Sequence, residues 1–86
     1  MSSLPMPRPD QTECFKHIHR SAVFALDGGF DCLSTGQKVA AALVLNRHDW
    51  LGAIGYTIAE ALHRVDEGWC DLIPLVERTL KNEGRI

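Results

Sequence analysis

Residues Val39 to Leu45 form a run of seven consecutive apolar residues, VAAALVL, in a chain of 86. At about 100° per residue, a helical run of this length covers nearly two turns and leaves no polar face. Ser34 and Gln37 stand at capping-box spacing just ahead of it, which predicts a helix from Thr35 to about Asn46. Such a helix needs neighbours on every side. Either it is the central element of a bundle, or another molecule covers one of its sides, and the two arrangements are compatible. A chain this short buries only about 60–65% of the surface it exposes when unfolded, so help from a partner is physically reasonable.

The flanking segments supply the neighbours. Asp10 and Glu13 have capping-box spacing, and Phe15, Ile18, Ala22 and Leu26 follow at three- and four-residue steps, predicting an amphipathic helix. Gly28 and Gly29 provide its left-handed stop. Asp49 is placed to cap a short turn through Trp50, Leu51 and Ile54, closed by Gly55. Thr57 and Glu60 make a third capping box before a stripe of Ile58, Ala61, Leu62 and Val65, with Glu60 and Arg64 spaced for an ion pair and Gly68 ending the helix. Asp71 then opens a last helix bearing Leu72, Val76 and Leu80, with Pro74 expected in its first turn, where a missing N–H is tolerated. The expected fold is all-α, a small compact bundle of four helices with a fifth short helical turn. Residues 1–9 contain Pro5, Pro7 and Pro9 and are expected to form a flexible proline-rich arm, leaving 10–86 as a single helical domain.

Charge and cysteine usage narrow the function classes. Nine basic against eleven acidic residues give a formal net charge of −2, with no dense basic stripe, which argues against a phosphate-neutralising protein. Three widely spaced cysteines, Cys14, Cys32 and Cys70, make a poor disulfide framework and suit a reducing compartment. With no apolar run of bilayer length and no apolar leader at the N-terminus, a cytoplasmic location is expected, without membrane contact.

Each candidate site residue also has a plain structural role. Cys14 and His17 share a helix face, but His19 lies roughly 200° from His17, so no metal site and no cofactor are expected. Cys14 with His17 lacks the third group and oxyanion donors that nucleophilic catalysis requires, and His48 beside Asp49 is only a sequential dipeptide whose side chains diverge, so the chain is not expected to be an enzyme. The stretch Asn46 to Trp50 is the densest polar and aromatic cluster, and Trp, Tyr and Arg are enriched at binding hot spots. Arg47, His48, Trp50, Tyr56 and Trp69 are therefore the candidate partner-binding surface, although Asn46 and Asp49 also fit the structural roles of helix stop and cap. The segment from Asp49 to Val65 admits an alternative as a helix-turn-helix. There Thr57, Glu60, His63 and Arg64 would face DNA, with Arg8, Lys16 and Arg20 as backbone contacts, but the scarcity of cations weakens it. The expected role is a protein-interaction or accessory module, self-associating or bound to a protein partner.

Overall fold

The computed structural model describes residues 11–65 and 67–86, so the proline-rich arm and the Asp10 cap expected from sequence lie outside the described residues. The chain is all-α: five helices and no strand among the described residues. They are α1 (Thr12–Phe24), α2 (Thr35–Val44), α3 (His48–Ala53), α4 (Ile58–Arg64) and α5 (Glu67–Asn82).

The apolar run becomes the centre of the bundle. Val39, Ala40, Ala41 and Val44 are completely buried and Ala42 is nearly so. α2 packs against α1, α5, α3 and α4, and the small side chains of Ala40, Ala41 and Ala42 let these neighbours approach closely. Leu43 is only half-buried, so the core lies on the other sides of this helix. Ile18 and Ala22 from α1, Leu51 from α3, Ala61 from α4 and Val65 just after it, and Leu72, Val76 and Leu80 from α5 complete the buried cluster. A single chain therefore encloses α2 without a second copy.

Both capping boxes within the described residues are formed. The Gln37 amide donates to Ser34 Oγ at 3.3 Å while the Ser34 amide donates to Gln37 Oε1 at 2.9 Å. At α4 the Glu60 amide donates to Thr57 Oγ1 at 3.1 Å and the Thr57 amide to Glu60 Oε1 at 2.9 Å. Glu60 thus spends one carboxylate oxygen on its own helix start, and the expected pair with Arg64 does not form.

Several sequence expectations are corrected. After α1 the chain passes through a π turn, Ala25–Gly29, and a 3₁₀ turn, Phe30–Cys32, before the extended Leu33. Ala25, which keeps helical angles, follows Ala22 at the i+3 step and takes the inward position, so Leu26 is left 40% exposed. Gly28 alone supplies the left-handed residue, at φ 92°. The stripe expected on α4 is half realised. Ala61 and Val65 face the core, whereas Ile58 and Leu62 stand 45% and 48% exposed, because a seven-residue helix turns only one narrow face toward α2.

The last two helices also meet elsewhere than expected. Val65 adopts extended angles, φ −77° and ψ 147°, so α4 stops at Arg64 rather than Gly68, and Gly68 falls inside α5. The buried stripe of α5 starts a turn early, at Trp69, and Pro74 consequently lies mid-helix on the exposed side. The exit of α4 has no glycine. Its Leu62 carbonyl instead accepts from Cys70 Sγ at 3.4 Å, across to α5.

The central position of α2 has a direct test. Ala41→Leu inserts atoms into a site closed on all sides and should lower stability by about 1–3 kcal/mol in urea unfolding. Leu62→Ala, on the exposed side of α4, should stay within about 0.5 kcal/mol of the wild type when both are unfolded in dilute solution.

Candidate functional site

The α2–α3 corner gathers three of the residues expected at a binding surface. Asn46 ends α2 in the left-handed conformation, φ 56°, with its amide donating to the Leu43 carbonyl at 3.2 Å and the Arg47 amide to the Ala42 carbonyl at 2.8 Å. Asp49 is not the α3 cap. It occupies the first turn, where a carboxylate suits the positive helix end, and receives Arg47 Nε at 3.0 Å and Nη2 at 2.8 Å. Hydrogen bonding to Arg47 holds the Asp49 carboxyl below its usual range, and the reciprocal bond raises the Arg47 guanidinium.

The same guanidinium lies 4.3 Å from the centre of the Trp50 ring. Trp50 in turn packs on Phe30 with centroids 4.5 Å apart, and Lys38 Nζ stands 5.6 Å from the Phe30 ring. Two cations and two rings thus gather at the corner, each charge close to an aromatic ring. His48 Nε2 lies 3.1 Å from Asn46 Oδ1 and donates to it, which steers the imidazole back over the corner. Phe30 and Lys38 were not singled out from sequence. Their spacing carries no sign that a loop aromatic would meet Trp50, because the contact depends on how the 3₁₀ turn folds back.

Tyr56 and Trp69 have other surroundings. Tyr56 follows Gly55, φ 80°, and its amide donates to the Leu51 carbonyl at 2.8 Å, so it closes α3 with the ring half-buried. Trp69 belongs to α5, where its ring lies 5.5 Å from that of His17 and helps line a small depression with Gly36, Arg64 and Val65. Trp50, Tyr56 and Trp69 all pack against the core, and among the described residues no ring contact joins Trp69 to Trp50. The five expected residues therefore divide into a corner of Arg47, His48 and Trp50, a helix exit at Tyr56, and a separate aromatic position at Trp69.

The two histidines of α1 diverge as their spacing requires. Gln37, whose Oε1 is committed to the Ser34 cap, turns its amide nitrogen to His17 Nε2 at 3.0 Å, so this ring nitrogen acts as an acceptor. His19 points the other way, 2.9 Å from Glu83 Oε1 at the end of α5. Among the described residues no three metal-ligating side chains converge.

The side of α1 that carries His19 forms a concavity of about 400 Å³ with the end of α5. Phe15 and Val23 give it an apolar floor, and Lys16, Arg20 and Arg85 surround it. The His19 ring stacks on Phe15, centroids 6.3 Å apart, and Arg85 Nε donates to Glu83 Oε1 at 3.1 Å. One carboxylate oxygen thus joins α1 to the α5 terminus. The helical phase of Lys16 and Arg20 was legible as a polar face, but its meeting with Arg85, more than sixty residues along, was not.

No protein-family model, no curated protein and no solved structure matches the chain.

Hydrogen bonding from His19, and secondarily from Arg85, holds the Glu83 carboxyl below its ordinary range. A depressed carboxyl contributes stability above its unfolded value and loses it as pH falls through its folded value. The thermal midpoint of the wild type should therefore exceed that of Glu83→Gln near neutrality, and the gap should close as the solution is taken to about pH 3. A gap that persists in acid would show that the His19–Glu83 bond does not tie α1 to α5.

Proposed function

We propose that the chain is a small helical protein-interaction module that associates through the α3–α4 hairpin, with a second copy of itself as the first partner. The observation that carries this reading is the pair Ile58 and Leu62, one turn apart on α4 and 45% and 48% exposed. The core is already closed around α2, so this apolar stripe has no work inside the monomer. Adjacent i,i+4 aliphatic side chains on a helix are the usual unit by which one helix docks on another.

A two-fold crossing of two α4 helices sets Ile58 and Leu62 of one copy against the same pair of the other, a self-complementary contact. Glu60 and Arg64 lie about 200° around the helix from that stripe, so they stay exposed and place no charge in the contact. The corner of Arg47, His48 and Trp50 precedes α4 through α3, which packs on it, and supplies the aromatic and guanidinium groups common in interface centres. The proposed role is physical association rather than catalysis.

A nucleic-acid role has less support. The helix that would enter a groove is seven residues long, exposes Ile58, Glu60 and Leu62 beside Arg64, and follows an α3 of only six residues. Retention on heparin at low salt is expected to be absent.

Light scattering after size exclusion tests the proposal. The mass of the wild type should rise toward that of a dimer with concentration, while Ile58→Asp combined with Leu62→Asp should stay monomeric with an unchanged helical circular-dichroism spectrum. A wild-type chain that is monomeric at every concentration, or a double variant that still dimerises, would remove α4 as the contact.

A further inference from the structure

We propose that the groove between α1 and the end of α5 is a binding site for a small amphipathic carboxylate, an alkyl or aryl acid with its apolar body on Phe15 and Val23 and its head group at Lys16 and Arg20. This site is separate from the α3–α4 contact and stands or falls independently of it.

Shape comes first. At about 400 Å³ the groove falls at the small end of the roughly 300–1,000 Å³ typical of small-molecule sites, and it is open to solvent along one side. That size suits a medium-length chain or a single ring system. Its floor is apolar while its rim is charged, a division that calls for a ligand with the same two parts.

Charge selects the sign of the head group. Lys16, Arg20 and Arg85 surround the groove against the single carboxylate of Glu83, a local excess of cations in a chain whose formal net charge is −2. Glu83 is already engaged by His19 at 2.9 Å and by Arg85 at 3.1 Å. Lys16 and Arg20, one turn apart on α1, are exposed, and neither has a carboxylate partner among the described residues. Two adjacent uncompensated cations beside an apolar floor attract an anion and disfavour a cation of the same shape.

Rigidity is the remaining requirement, since a preformed site avoids the cost of ordering its walls on binding. The His19 ring is held from two sides, stacked on Phe15 and bonded to Glu83, which fixes the wall nearest α5. The Thr79 hydroxyl is tied to the Leu75 carbonyl at 2.9 Å, so its proton does not compete for the ligand.

The experiment is a titration of the full chain with sodium decanoate below its micellar concentration, followed by backbone amide NMR shifts and calorimetry. Acetate and decyltrimethylammonium serve as the head group alone and the apolar body with opposite charge. Saturable decanoate binding, with shifts on α1 and the last turn of α5 and at least tenfold weaker binding of both controls, is the expected result. Lys16→Glu combined with Arg20→Glu, both exposed and so compatible with an unchanged helical spectrum, should weaken decanoate at least tenfold and favour the cationic amphiphile. The proposal is overturned by absence of saturable binding, by equal binding of the cationic amphiphile, by shifts centred on Ile58 and Leu62, or by unchanged decanoate affinity in the double variant.

Discussion

The whole arrangement depends on how closely four helices can approach α2. A helix carrying Ala40, Ala41 and Ala42 in sequence presents almost bare backbone on three of its sides, and the neighbours settle onto it at short range. Each neighbour then needs only a narrow apolar face: Ile18 and Ala22 on α1, Leu51 on α3, Ala61 on α4, and the longer stripe of α5. A core built around small residues is economical in length, which is how so short a chain closes it. It is also unforgiving of added volume, since Ala40 and Ala41 are completely buried.

That economy explains what is left outside. Once α4 has used Ala61 and Val65 to meet the core, its remaining aliphatic residues have no inner position to occupy. The polar groups are arranged with similar thrift at helix ends. Asp49 sits in the first turn of α3 with Arg47, Glu83 lies beyond the last residue of α5 with His19 and Arg85, and Gln37 serves both its own cap and His17. Such bonds contribute little individually in solvent, but each joins segments that the apolar core leaves apart at their ends.

Local signals in the sequence were the readable ones. Ser34 with Gln37 and Thr57 with Glu60 announce helix starts because both partners of the bond lie within four residues, and Asn46 and Gly55 mark exits because the left-handed region admits few residue types. The seven-residue apolar run called for neighbours on every side, and the packing of α1, α3, α4 and α5 on α2 supplies them from the same chain. What could not be read depends on distance or on competition. The entry of α5 was misplaced because Pro74 resembles a first-turn proline, whereas burial of Trp69 extends the helix upstream of it. The corner of Arg47, His48 and Trp50 was legible as a cluster, but its pairing with Phe30 was not. The groove required Lys16 and Arg20 to be seen beside Arg85, which only the packing of α1 on α5 provides.

The left-handed Gly28 sets the direction in which the chain leaves α1. Helical angles run through Ala25, and at Gly28, φ 92°, the chain turns away toward the 3₁₀ turn that begins at Phe30. At Gly29 a Cβ would collide with the Phe24 ring, so the backbone and that ring lie in direct contact. Two neighbouring positions without side chains thus decide where Phe30 arrives, and Trp50 rests on Phe30 with centroids 4.5 Å apart. The aromatic face at the α2–α3 corner is therefore aimed by a bend that belongs to none of the five helices.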